Sequence, residues 1–182
     1  VGGVGTYFLT KYLLSIHSER FSREAAFLAG IFSILNLATL QQYYVPLEMF
    51  AVHFATLPWL LLLAISYLRE GKRKLLIGFS IATIFSASMA HTPTLFYSYL
   101  GAFVLFIVSA LIFVRRRSLI KRGGVLIGLT LLLNAYWLAP NIYFLVNHAS
   151  DVANSKIHRV FSDEAYLQSQ AYGDFENLGK LK

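Results

Sequence analysis

An all-α transmembrane helix bundle is the fold class this sequence predicts, and three observations predict it. The chain has 182 residues, of which 57% are hydrophobic and only 14% charged. Its apolar residues gather into runs near the length that crosses a bilayer, roughly 20 helical residues for a hydrocarbon core about 30 Å thick. Its basic residues fall in alternate connections between those runs. Soluble domains carry about a quarter charged residues, so a mean hydropathy of +0.58 excludes an ordinary water-soluble globule. With no cysteine, a disulfide scaffold and any thiolate metal or nucleophile site are excluded as well.

About six spans follow in order, near residues 1–16, 25–40, 49–68, 75–90, 95–114 and 125–146. The runs lack period-two alternation, and lipid offers no partner to an open sheet edge, so helices are expected throughout. The first span is interrupted by Lys11, and it opens at Val1 without an initiator methionine, as expected of a piece of a longer polypeptide. Residues 1–146 form the expected membrane domain, and 147–182 an extracytoplasmic polar segment that starts a larger outer region. A short helix is expected near Asp163 to Tyr172, with Ser162 as its N-cap and Gly173 as its stop.

Eleven of the sixteen basic residues lie in the first, third and fifth connections: Arg20 and Arg23, then Arg69 to Lys74, then Arg115 to Arg122. The intervening connections, Gln41 to Pro46 and His91 to Pro93, have none. By the positive-inside rule the basic connections are cytoplasmic, and the chain is expected in the cell membrane with several passes. The net charge of +7 therefore reports topology, with the bilayer as partner and no nucleic acid. Helix ends fit this map. Thr92-Pro93 is an N-cap followed by proline at the first helical position, and Pro46 with Glu48 marks the start of the third span. Pro58 and Pro140 are expected to kink their helices. Gly78, Ala82, Ser86 and Ala90 recur every four residues, a ridge of small side chains that admits a close neighbour, and Ala26 with Gly30 offers a shorter one.

Candidate binding residues are the polar groups at membrane depth, where they are costly and often functional. Glu48 stands at the outer boundary as a general base, a group that binds a metal or a sugar hydroxyl, or simply a helix-start acid. His53 follows five residues later, about 140° around the helix, so the two make no local pair. His53 is expected in the bundle interior, and His91 in an outer turn. Asn134, Asn141 and His148 are spaced by seven along the last span, as a hydrogen-bonding seam or a cavity lining. No phosphate-binding glycine loop, His-Glu-x-x-His or Gly-x-Ser-x-Gly is present, and no metal site or cofactor is identified.

The stretch from Phe21 to Leu68, with its Gln-Gln-Tyr-Tyr-Val-Pro connection and Leu57-Pro58 step, resembles polytopic glycosyltransferases of the GT-C superfamily. The segment from Asn134 to Pro140, followed by the Phe-Ser-Asp-Glu-Ala-Tyr tail, resembles arabinofuranosyltransferase-like membrane proteins. It is also similar to a membrane family labelled "6-pyruvoyl-tetrahydropterin synthase-related", though no zinc-binding histidine cluster accompanies that label. The resemblance implies transfer of a sugar from a polyprenyl-phosphate donor to an envelope glycan acceptor at the outer face. A carboxylate would deprotonate the acceptor hydroxyl, and cationic or divalent-metal help would assist the leaving group in the whole enzyme. That carboxylate normally lies in a first outer loop, which the chain is expected to lack, so no catalytic residue is carried over. Glu48, His53 and His91 would line the outer cavity. A different class is a non-catalytic module, either a transporter of lipid-linked glycans or an assembly scaffold.

Overall fold

The computed structural model describes residues 1–16, 22–44, 48–114 and 117–153. The expected Asp163–Tyr172 helix and most of the polar segment from 147 onward lie outside them. Among the described residues the chain is helical and has no strand. The elements are α1 (Gly2–Ser15), α2 (Ser22–Leu35), α3 (Leu37–Tyr44), α4 (Glu48–Glu70), α5 (Arg73–Phe85), a 3-10 turn (Ala87–His91), α6 (Pro93–Val114) and α7 (Arg117–Ala153). They divide into two compact units, Val1–Tyr136 and Trp137–Lys182.

Among the described residues three helices are long and apolar enough to cross a membrane, over Phe50–Glu70, Pro93–Ile112 and Ser118–His148. Only 33%, 22% and 22% of these windows is buried within the protein. Apolar surface left uncovered on that scale is disfavoured in water, and a lipid solvent removes the penalty. The remaining three expected spans take other forms. α1, at 14 residues, covers about 21 Å. The run 25–40 is two helices rather than one, divided at Asn36, whose N–H still bonds the Phe32 carbonyl while its side chain caps α3. Its Oδ1 accepts from the Thr39 N–H at 3.0 Å, while its Nδ2 donates to the Ser33 carbonyl at 2.9 Å. Thr39 Oγ1 also donates to the Ser33 carbonyl, at 2.6 Å. Gln41 to Tyr44 consequently closes α3 as helix, where the sequence suggested a loop. The run 75–90 likewise divides at Ser86 into α5 and the 3-10 turn.

Close backbone approaches organise the first unit. A Cβ added at Gly3 would stand 3.0 Å from the Gly30 carbonyl, and one added at Gly30 would stand 3.0 Å from the Gly3 carbonyl. α1 and α2 therefore touch backbone to backbone, with Ala26 fully buried one turn away. On its other side α1 meets α4. Gly2 faces Ala55 and Gly5 faces the Trp59 indole, which explains three glycines in five residues without any phosphate loop. Gly78 fits against Leu63 between α5 and α4, as the small-residue ridge anticipates. α6 enters through Phe79 of α5, which stacks on Phe103 at 5.8 Å between centroids. In α7, Leu119, Leu126, Thr130 and Asn134 form the buried face, and Gly123 abuts Ile107 of α6.

Among the described residues, the third and fifth basic connections meet at one end of this unit. Arg122 of α7 donates from Nη1 to the carbonyls of Leu68 and Arg69, at 2.7 and 2.8 Å, and so closes the C-terminus of α4. A cation there also opposes the negative end of the helix dipole. Gly71 ends the helix at φ +70°, a conformation that suits glycine, and its hydrogen side lies against the Arg122 guanidinium. Arg69 lies 5.6 Å from the Tyr12 ring of α1. Lys11 leans back over Tyr7, one turn earlier, at 5.8 Å. α6 starts at Pro93, as the Thr-Pro step predicts. Pro58 and Pro140 both sit inside helices, and the non-helical residue in α7 is His148 (φ −130°, ψ 17°) rather than Pro140.

Candidate binding cleft at the end opposite the arginines

α4 and α5 run antiparallel from the Gly71 turn, so the end of α5 returns to the beginning of α4. The return places Ser86 beside His53 and Thr56. His53 is 6% exposed and its Nδ1 lies 2.9 Å from Ser86 Oγ. Thr56 Oγ1 lies 3.0 Å from the same Ser86 oxygen and also donates to the carbonyl of His53. Small-residue spacing thus has a second use at Ser86: the side chain is small enough for close packing and polar enough to hold an imidazole. Along α4, His53 is about 24 Å from Arg69, most of a bilayer core away.

Against the other side of His53 stands Tyr99 of α6. The two rings meet edge to face at 5.3 Å, and Tyr99 stacks on Phe103 at 5.6 Å. An aromatic ladder therefore leads from the α5–α6 core to the imidazole. The Tyr99 hydroxyl is buried and has no hydrogen-bond partner among the described residues. Leaving such a group unpaired costs about 1–3 kcal/mol. Its oxygen is closed off from the surface, so a ligand oxygen reaches it only when the surrounding side chains shift, and Tyr99 itself lines a neighbouring cleft. That cleft has a volume of 290 Å³, and His53, Ser98 and Tyr99 are its polar lining. Phe50, Phe54 and Leu57 of α4 supply an apolar wall. Mostly hydrocarbon with a few convergent polar atoms is the usual make-up of a small-molecule site.

Among the sequence candidates, His53 is the one found in this cleft. Glu48 begins α4 and His91 ends the 3-10 turn, and the side chains of both lie outside the described residues. Asn134 is buried in the first unit, where its Nδ2 donates to the carbonyl of Thr130 at 2.8 Å. Asn141 and His148 belong to the second unit; there His148 stacks on Phe144 at 5.6 Å between centroids. Ser98 and Tyr99 are missing from the sequence candidates. The signal for Tyr99 is a hydroxyl on the otherwise apolar face Phe96-x-x-Tyr99-x-x-x-Phe103, and Ser98 stands beside that face on the exposed side of the helix. Among the described residues no group of three or more His, Asp or Glu side chains could hold a metal ion. The polar cleft lining among the described residues is imidazole and hydroxyls with no carboxylate, a set that does not suit a hard divalent cation, and no metal-dependent step is assigned to it. Comparison with known proteins finds no matching family model, no matching curated protein and no matching solved structure.

Proposed function

We propose that this chain is part of a multi-pass GT-C-type glycosyltransferase of the cell membrane, acting on a polyprenyl-phosphate-linked sugar at the outer face. The observation that carries the proposal is the buried, unsatisfied Tyr99 hydroxyl of a residue that lines an apolar cleft far from the basic end. With the arginine-rich end cytoplasmic, the cleft faces outward. Phe50, Phe54 and Leu57 offer a surface to polyprenyl hydrocarbon, while Tyr99, Ser98 and His53 offer hydrogen bonds to the polar head. α2 with α3, and α5 with the 3-10 turn, then serve as broken crossings. Laid end to end, each pair reaches about 30 Å.

In this reading a carboxylate takes the proton of the acceptor hydroxyl as that oxygen bonds to the anomeric carbon. The bond from that carbon to the lipid-phosphate oxygen breaks, and the electron pair leaves on the phosphate. The residues of the cleft bind and orient the donor, with Ser86 fixing the imidazole of His53 through Nδ1. No residue of this chain is assigned the role of base.

Sugar transfer, measured on the intact protein and on Tyr99→Phe, separates this proposal from a transporter or scaffold. Without donor, the variant is expected to be more stable by about 1 kcal/mol, because a buried unpaired hydroxyl is removed. With donor, sugar transfer by the intact protein is expected to fall about tenfold, the loss of one hydrogen bond of about 1.4 kcal/mol. Transfer at the wild-type rate by Tyr99→Phe would remove the cleft from the donor site, and no sugar transfer by the unsubstituted intact protein would leave the non-catalytic reading.

A further inference from the structure

The arginine-rich end of the first unit holds a second and larger cleft, of 770 Å³. Arg69, Arg122, Tyr12 and Ser118 contribute its polar wall, and Phe106 and Ala110 of α6 lie in its apolar wall. We infer that this cleft binds the phosphate-bearing headgroup of an anionic membrane lipid, with an acyl chain laid along the α6 wall. The inference does not depend on the glycosyl-transfer proposal.

The charge balance favours an anion. Arg122 gives Nη1 to the two α4 carbonyls, which orients its guanidinium and leaves further N–H donors in the planar fork. Arg69 is held against the Tyr12 ring rather than by a carboxylate. Glu70 also lines the cleft, but its Oε2 lies 2.6 Å from the Lys72 ammonium, which offsets its charge. The same contact holds the Lys72 ammonium above the ordinary lysine range. Ser118 and Leu119 stand in the first turn of α7, at the positive end of its helix dipole.

The apolar wall decides between a lipid and a free anion. Phe106 and Ala110 gain nothing from inorganic phosphate but are covered by an acyl chain. Leu105 and Ile112 continue the same helix as exposed apolar surface, at 68% and 62%. A lipid therefore enters from the bilayer without leaving hydrocarbon. This end is also the one that juxtamembrane basic residues direct toward anionic lipids.

Lipid binding to the intact, detergent-solubilised protein tests the inference by native mass spectrometry, with phosphatidylglycerol and phosphatidylcholine of equal chain length. Phosphatidylglycerol is expected to bind about 25-fold tighter, since each of the two arginines near an anionic headgroup is worth about a fivefold factor. Arg69→Gln is expected to lower that preference about fivefold and leave phosphatidylcholine unchanged. Ala110→Trp, which fills the acyl wall and keeps both arginines, is expected to weaken phosphatidylglycerol binding as well. Equal affinity for the two lipids would overturn the inference. So would an unchanged preference in both variants, or displacement of phosphatidylglycerol by excess inorganic phosphate, which would mark a free-anion site.

Discussion

Replacing Gly30 by leucine is expected to separate α1 from α2 and to lower stability by about 3 kcal/mol, the upper part of the overpacking range. A Cβ at position 30 would meet the Gly3 carbonyl oxygen at 3.0 Å and the Tyr7 Cβ at 3.4 Å. Neither is the far end of a flexible side chain, so the helices themselves must move. In lipid, where hydrophobic burial does not drive helices together, such close contact is a main source of cohesion. Gly30→Ala should cost less, because a shift of a few tenths of an ångström accommodates it. Gly101→Leu is the control, since nothing stands within 4 Å of a Cβ there. Unfolding in mixed micelles, followed by helical circular dichroism, reads all three. Equal stability of Gly30→Leu and Gly101→Leu would show that the α1–α2 contact contributes nothing to cohesion.

Arg122→Ala is expected to cost about 2–3 kcal/mol by the same measurement. Two charge-assisted hydrogen bonds to the end of α4 are lost, and hydrogen bonds to charged groups contribute about 1.5–3 kcal/mol each when not fully exposed. The lower total reflects the partial exposure of one of them. The consequence extends beyond the pair, since Gly71 turns beneath that guanidinium and sets the antiparallel course of α5. Arg122→Lys should recover only part of the loss, because an ammonium is a point charge and lacks the planar fork. Full retention of stability in Arg122→Ala would mean that the α4 terminus is satisfied by solvent.

What could be anticipated from residues alone follows the range of the interaction. Hydropathy and length are properties of a single run, and the three long helices lie where those runs are. Pro93 acts through its own φ and its missing N–H, so the start of α6 was legible. Alternation puts the third and fifth basic connections at the same end of the bundle, and Arg122 reaching the end of α4 joins those two. Asn36 was not legible as a break. One amide within an apolar run barely lowers the average, and its effect depends on Thr39 standing three residues on. The His53–Ser86 pair joins positions 33 apart and needs the Gly71 turn to exist. Tyr99 belongs to a buried stripe whose partners come from α4 and α5, and only their arrangement shows that its hydroxyl is left over.

Threading of α4 through the bilayer, with its arginine-rich end inside, is the claim on which both clefts depend. The absence of cysteine from the chain makes single-cysteine labelling direct. Tyr44 and Lys72 flank α4 and are 87% and, at the side chain, 69% exposed. In intact cells a membrane-impermeant maleimide is expected to label Tyr44→Cys and to reach Lys72→Cys only after the membrane is opened. Labelling of Lys72→Cys from outside, or of both positions equally before opening, would contradict the account.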